Sequence, residues 1–148
     1  MKNIFIAIAM AMAFHSSAQD FVVVAKEYCD CFKKSKDTMD IEFRQLLIRV
    51  ARQSNIKEAF ASEMKSLEVE KQKRFAEQLE TLGAVMNSEE SESGRCGIFL
   101  DKKYEKYNDT PDKEKIFTNK LAAQLKSNRD CEFLWAVTVF ALAFTEEE

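Results

Sequence analysis

Histidine is almost absent from this chain of 148 residues, since the only one, His15, lies close to the N-terminus. The rest of the chain therefore holds no Ser-His-Asp triad, no Cys-His pair, no zinc site with a histidine ligand and no Glu-x-x-His di-iron site. Catalysis would have to use carboxylates, a lysine or a thiol. We expect a protein that is not an enzyme, with no catalytic residue, no cofactor and no bound metal.

Glycine and proline are also scarce, with three residues and one residue respectively. An all-β fold needs turn residues about every 8 to 12 positions, which this composition does not supply. Lys, Glu, Leu and Ala are abundant, and these residues favour helices. The composition predicts an all-α fold, and we expect an elongated bundle of five or six helices.

Long apolar runs are missing as well, because no run reaches the ~20 residues that a membrane-spanning helix needs. The first run, residues 4–14, follows a basic start at Lys2 and precedes the small residues Ser16-Ser17-Ala18. This arrangement is typical of a bacterial secretory signal peptide. We predict that residues 1–18 are cleaved and that residues 19–148 form a single helical domain. The mature domain would be periplasmic or extracellular, without a transmembrane segment.

A strong positive charge is lacking. The chain has 22 basic and 25 acidic residues, and removal of Lys2 with the leader leaves a formal charge of −4. This mild acidity argues against nucleic acid or an anionic membrane as the main partner. Two lysine groups, residues 33–36 and 102–106, are interleaved with acidic residues, and we expect them to form solvated faces.

Four cysteines are present in the predicted mature chain, where an exported protein forms disulfides. Cys29 and Cys31 lie on one predicted helix, about 160° apart around its axis, so they cannot bond to each other without breaking it. Two pairings remain. Either Cys29 joins Cys131 and Cys31 joins Cys96, or the partners are exchanged. Both pairings tie the first helix to the last helix and to a central loop.

Two other uses of the cysteines are disfavoured. A redox pair normally has Cys-x-x-Cys spacing rather than Cys-x-Cys, and a four-cysteine metal site conflicts with an oxidising compartment. Arg95 could lower the pKa of a Cys96 thiol, and Gly94 and Gly97 would give access to it. We expect instead that the glycines relieve crowding where a disulfide meets a loop.

The apolar periodicity and the turn signals divide the mature chain into helices. The first should cover about residues 20–34, and Asp37 should cap the second. A long helix should cover residues 56–86, with a polar middle that either overhangs the body or bends. Residues 87–97 form the clearest loop candidate, and Thr110 should cap a helix that begins at Pro111.

The last predicted helix is the most apolar part of the mature chain. Between Phe133 and Phe144 only Thr138 is polar. A helix that is apolar on all sides is typically buried, so we predict that this one lies at the centre of the bundle.

The function that we expect is binding, without catalysis, of another protein or a cell-surface component. The first alternative is a carrier that holds a small apolar molecule in a cavity between helices, since ten phenylalanines follow the leader. The second alternative is a thiol- or carboxylate-dependent enzyme that uses groups such as Asp37, Asp40 and Glu42 or residues 89–92. A carrier would show an enclosed cavity of several hundred cubic ångströms. A binding protein would show a solid core and an exposed apolar patch.

Overall fold

The computed structural model describes the backbone of residues 2–145 and the side chains of residues 20–144. Over that range the fold is all-α, as predicted, without a β-strand. The predicted cleavage site, Ala18–Gln19, lies outside the side chains that are described. The α-helices in this range are α1 (Lys2–Thr38), α2 (Ile41–Ala51), α3 (Ile56–Ser66), α4 (Val69–Asn87), α5 (Glu92–Lys103), α6 (Pro111–Lys126) and α7 (Glu132–Thr145). Two 3₁₀ turns, Glu105–Tyr107 and Arg129–Cys131, precede α6 and α7.

Polar side chains fix where several helices begin. Thr110 caps α6 as predicted, accepting a hydrogen bond from the amide of Lys113 at 3.4 Å, with Pro111 at the first helical position. The predicted cap of α2 is wrong, because Asp40 rather than Asp37 accepts from the amide of Glu42. The reason is that α1 continues to Thr38, with the buried Ser35 in its last turn, so Asp37 lies inside this helix.

The predicted long helix over residues 56–86 is two helices. Leu67 ends α3 with an extended backbone, and Glu68 precedes α4 in a similar conformation. The Leu67 side chain packs on the core, whereas Glu68 and Val69 are exposed. The chain therefore bends within its polar middle. This bend gives seven α-helices between residues 2 and 145, where the sequence predicted five or six.

The predicted loop over residues 87–97 is mostly helix. Only residues 88–91 are non-helical, because Ser91 accepts a hydrogen bond from the amide of Gly94 at 2.8 Å and starts α5. The glycines serve close packing inside this helix. A Cβ on Gly94 would collide with the carbonyl oxygen of Ser88, and one on Gly97 would come within 3.2 Å of the Phe32 ring. Glycine here permits close approach rather than a turn.

The core is a single apolar cluster to which every helix except α3 contributes fully buried residues. Helix α7 lies at its centre, as predicted, and contacts α1, α2, α3 and α6. Its first half carries buried side chains at residues 133–137, including Trp135. The complementary face of α2 supplies Phe43, Leu46, Leu47 and Val50, whose i, i+3, i+4 and i+7 spacing puts them on one side of the helix.

The second half of α7 differs from the prediction of burial on all sides. Residues 138–144 are half-buried or exposed, and Phe144 is 48% exposed. This half contacts α3, whose own apolar residues are only partly buried. The Phe140 ring lies between the rings of Phe60 and Phe144, with centroid distances of 4.9 Å and 4.7 Å. The first half of this apolar helix thus belongs to the core, and the second half forms a partly exposed surface with Phe60, Phe140 and Phe144.

Two disulfides hold α1 to both sides of the bundle. Cys29 bonds to Cys131 and Cys31 bonds to Cys96, with Cα–Cα distances of 5.4 Å and 5.6 Å. This is the first of the two pairings that the helix geometry allowed. Beside the bridges, the buried hydroxyls of Ser35 and Ser93 hydrogen-bond to each other and join α1 to α5.

Replacing Trp135 with Ala should lower the free energy of unfolding by roughly 3–5 kcal/mol, because the side chain is only 6% exposed. Urea denaturation followed by circular dichroism measures this difference. The matched variant Phe144→Ala, in the exposed half of the same helix, should lose much less. Equal losses for the two variants would contradict a buried first half of α7.

The disulfide pairing can be read from peptides, because Asp30 separates Cys29 from Cys31. Digestion with an endoproteinase that cleaves before aspartate, without reduction, places these two cysteines in different peptides. We expect one linked pair that contains Cys29 and Cys131 and another that contains Cys31 and Cys96. Peptides with the exchanged links, or with free thiols in exported protein, would contradict the structure.

Candidate functional site

The cysteines are structural in this fold. All four are in disulfides, and the described residues contain no free cysteine. The Arg95 guanidinium, considered above as an activator of Cys96, donates to the backbone carbonyls of Glu89 and Glu90 at 3.2 Å and 2.8 Å. Arg95 therefore closes the turn before α5, and no thiol is present for it to activate.

Three of the carboxylates that the sequence offered for catalysis, Asp40, Glu42 and Glu92, form surface ion pairs. Asp40 and Glu42 both contact Arg74, at 3.4 Å and 3.1 Å, and Lys34 contacts Glu92 at 2.6 Å. Such exposed pairs contribute little to stability and are common on helical surfaces. Among the described residues, no three His, Cys, Asp or Glu side chains come close enough together to hold a metal ion.

Space inside the core is small near the bridges. The cavity beside Cys29 and Cys131 has a volume of about 20 Å³, which is room for roughly one water molecule. A cavity that encloses an apolar ligand is normally several hundred cubic ångströms. This part of the core is thus filled by side chains.

A much larger space lies on the surface between α1, the 3₁₀ turn at residues 105–107 and α6. Its volume is about 810 Å³, and it is open to solvent. Its apolar walls are formed by Phe21, Val23, Tyr104, Tyr107, Ile116 and Phe117. Four lysines surround these walls, at positions 103, 106, 113 and 120, and among the residues whose side chains are described Asp20 is the only acidic one in the lining. We call this surface the lysine-rimmed groove.

The floor of the groove is an aromatic cluster centred on Phe117. This residue is buried, and its ring lies 5.5 Å from Phe21, 6.1 Å from Tyr104 and 6.4 Å from Tyr107. Tyr28 contacts it from below at 6.3 Å. Aromatic rings at these separations attract one another beyond simple burial, so the floor is a rigid surface.

Hydrogen bonds from α1 hold Tyr104 and its neighbour in place. The Glu27 carboxylate accepts from Lys103 at 2.7 Å and from the Tyr104 hydroxyl at 2.8 Å. These two donors, with Lys103 contributing most, hold the pKa of Glu27 below its ordinary value of 4.5. Beneath them the Tyr28 hydroxyl donates to Asp101 at 2.7 Å, and burial with this bond raises the pKa of Tyr28. Both hydroxyls therefore stay neutral and fixed.

The four lysines of the rim are in two electrostatic situations. Lys103 pairs with Glu27, and Lys113 pairs with Asp109 at 2.8 Å. Lys106 and Lys120 instead lie over the rings of Tyr107 and Phe21, 4.7 Å and 5.4 Å from the centroids. Within the described part of the chain, neither has a carboxylate at ion-pair distance, so these two ammonium groups, against the single charge of Asp20, make the lining net positive.

The apolar rims of the groove are exposed. Val23 on α1 is 53% exposed and Ile116 on α6 is 55% exposed, although both belong to otherwise amphipathic helices. No pattern in the sequence predicted a binding role for either residue. A signal was present in α6, since Ile116 lies outside the buried stripe of Phe117, Leu121 and Leu125. An apolar residue that departs from the buried stripe is a candidate surface contact.

The disulfides set the positions of the helices that carry the groove. Cys31–Cys96 ties α1 to α5, which ends one residue before Tyr104. Cys29–Cys131 ties α1 to the turn that follows α6. Each wall of the groove is therefore linked covalently, through a short stretch of helix, to the same segment of α1.

No protein-family model, no curated protein and no solved structure matches this chain. Among the described residues, none of the helices has the length and apolar character to cross a membrane.

Replacing Glu27 with Gln should slightly destabilise the protein at pH 7 but not under acidic conditions. The pKa of Glu27 is lowered in the fold, so its ionised form stabilises the fold above the ordinary pKa of 4.5. That contribution is lost as the pH falls through the lowered value. Urea midpoints measured from pH 7 to pH 3 should differ between variant and parent at neutral pH and converge below about 4.5.

Glu77→Gln, at an exposed position on α4, is the matched control for the removal of one carboxylate. A constant difference between Glu27→Gln and the parent at every pH would mean that the Glu27 ion pair does not contribute.

Proposed function

We propose that this chain is an exported, non-catalytic helical protein that binds another protein or a cell-surface component through the lysine-rimmed groove. The observation that carries the proposal is the pair of exposed apolar rims, Val23 and Ile116, on either side of a fixed aromatic floor. An exposed apolar patch with a charged border is typical of an interaction site. Binding would remove both rims from water.

A rigid scaffold supports this interpretation. Binding costs free energy when loops or side chains must become ordered, and a surface that is already fixed avoids that cost. In the groove, Phe117 is held by surrounding rings, and Tyr104 is held by its hydrogen bond to Glu27. The two disulfides secure the helices beneath.

Export is part of the proposal. The basic start, apolar run and small residues of positions 1–18 support a cleaved leader, and two disulfides are typical of an oxidising compartment. The mature protein would begin at Gln19, directly before the first residue that lines the groove, Asp20. The groove would then lie at the N-terminal end of the mature chain.

A carrier of a small apolar molecule is the second candidate, because the same groove offers about 810 Å³ with an aromatic floor. Against it stands the open shape. Ligand pockets bury most of the surface of a small ligand, whereas here the rims are more than half exposed. An enzyme has less support, since the four cysteines form disulfides rather than thiols.

The test is site-specific photo-cross-linking in the cells that export the protein. A benzophenone amino acid at position 116, in the groove, should give a discrete adduct of higher mass. The same group at Val69, which is 78% exposed on α4 and remote from the groove, is the control and should not give that adduct. No adduct at position 116, or the same adduct from both positions, would contradict the proposal.

The same purified protein separates the two candidates. Its intact mass should correspond to a chain that starts at Gln19 with two disulfides. Extraction with organic solvent should release no stoichiometric lipid. A lipid recovered at about one molecule per chain would favour the carrier, because a preformed site retains its ligand through purification.

A further inference from the structure

We propose that the partner of the lysine-rimmed groove is an amphipathic helix whose apolar face is bordered by Asp and Glu side chains. This inference rests on the proposed function, because it names the chemistry of the partner at the same site. It is carried by the positions of the exposed apolar rims and of the lysines around them.

The two exposed rims favour a helix over an acyl chain. Val23 and Ile116 lie on different helices, and each is more than half exposed. A ligand that covers both must contact α1 and α6 together. An α-helix presents several apolar side chains over a width of about 10–12 Å, whereas a single acyl chain on the Phe117 floor has far less surface to offer the two rims. Grooves of this kind recognise helices through apolar anchors on one face.

The spacing of the charges favours a ligand with several carboxylates. Lys113, Ile116 and Lys120 occupy positions i, i+3 and i+7, so they share one face of α6. The two lysines are separated by about 10.5 Å along the helix axis. A lipid or fatty acid with one anionic headgroup could reach only one of them. Of two acidic residues two turns apart on a partner helix, one would meet Lys120 and the other would join the existing Lys113–Asp109 pair.

Lys106 and Lys120 would provide most of the charge recognition. Lys103 and Lys113 already pair with Glu27 and Asp109, whereas Lys106 and Lys120 lie over aromatic rings. Their ammonium nitrogens lie 4.7 Å and 5.4 Å from the ring centroids, at the rim of the groove. A carboxylate from a partner could bind there without displacing an internal one.

The charge of the rest of the chain adds specificity. The predicted mature protein has a formal charge of −4, so most of its surface disfavours an acidic partner. The groove is lined by four lysines and one aspartate. An acidic amphipathic helix is therefore attracted to this surface, whereas the chain as a whole has a net negative charge, and this difference favours docking at the groove.

The test uses fluorescence anisotropy with two labelled model peptides. Each has about five helical turns and a leucine face with i, i+3, i+7 spacing. One has Glu on both borders of that face and the other has Lys. The mature disulfide-bonded protein should bind the Glu peptide at least about tenfold more tightly than the Lys peptide. Equal affinities, or no binding of either peptide, would overturn the inference.

Variants locate the effect. The charge reversal Lys106→Glu with Lys120→Glu should remove the preference for the Glu peptide, and Ile116→Glu should weaken both peptides. The matched controls outside the groove, Lys65→Glu with Lys73→Glu and separately Val69→Glu, should bind as the parent does. Circular dichroism and melting of every variant establish that the fold is retained. An unchanged preference in the Lys106 and Lys120 double variant would overturn the inference.

Two further measurements exclude other ligands and separate the two proposals. The first measures binding of phosphatidylglycerol vesicles and of sodium palmitate. If either binds through Lys106 and Lys120 more tightly than the Glu peptide does, the partner is a lipid rather than a helix. In the cross-linking experiment, an adduct at position 116 that persists in the double variant would reject the acidic helix as the partner but would support a surface-binding function. If the parent chain gives no adduct at position 116, both the acidic helix and the surface-binding function are rejected.

Discussion

Two disulfides leave α1 from positions only two residues apart and reach opposite sides of the bundle. Because Cys29 and Cys31 are about 160° apart around the helix, one bridge holds the turn after α6 and the other holds α5. A disulfide stabilises a fold mainly by restricting the unfolded chain, and the effect grows with the length of the closed loop. The separations of 102 and 65 residues are long for a protein of this size. These two bonds fix α1 against α5 and against the turn that leads into the central helix α7.

Much of the fold follows from local patterns in the sequence. The inner face of α2, the cap at Thr110 and the direction of each disulfide depend on helical periodicity and capping chemistry, which act over a few residues. The predictions that were wrong involve contacts between distant residues. From the sequence alone, Gly97 indicates a loop, whereas in the fold it leaves room for the neighbouring Phe32 ring. The end of α3 at Leu67 likewise depends on the packing of the Leu67 side chain against the core.

The groove could not be predicted for the same reason. Its lysines come from two separate segments, and within each segment they alternate with acidic residues that suggest an ordinary solvated face. Only the docking of α6 beside α1 places Lys106 and Lys120 on one rim, and only the pairing of Glu27 with Lys103 turns a nearby carboxylate inward. The net charge of a local surface is a property of tertiary structure. What the sequence did offer was Ile116, an apolar residue outside the buried stripe of its helix.

The order of the bridges along the chain has a consequence for biosynthesis. The Cys31–Cys96 bond is nested inside the Cys29–Cys131 bond, which joins the first of the four cysteines to the last. As the polypeptide is made from its N-terminus, Cys29 and Cys31 are the first thiols to emerge, and their helix keeps them from oxidising each other. Cys29 has no disulfide partner until the segment that contains Cys131 has been made. The outer bond can therefore form only after Cys131 has been made. A truncated product that ends before Cys131 lacks this bond.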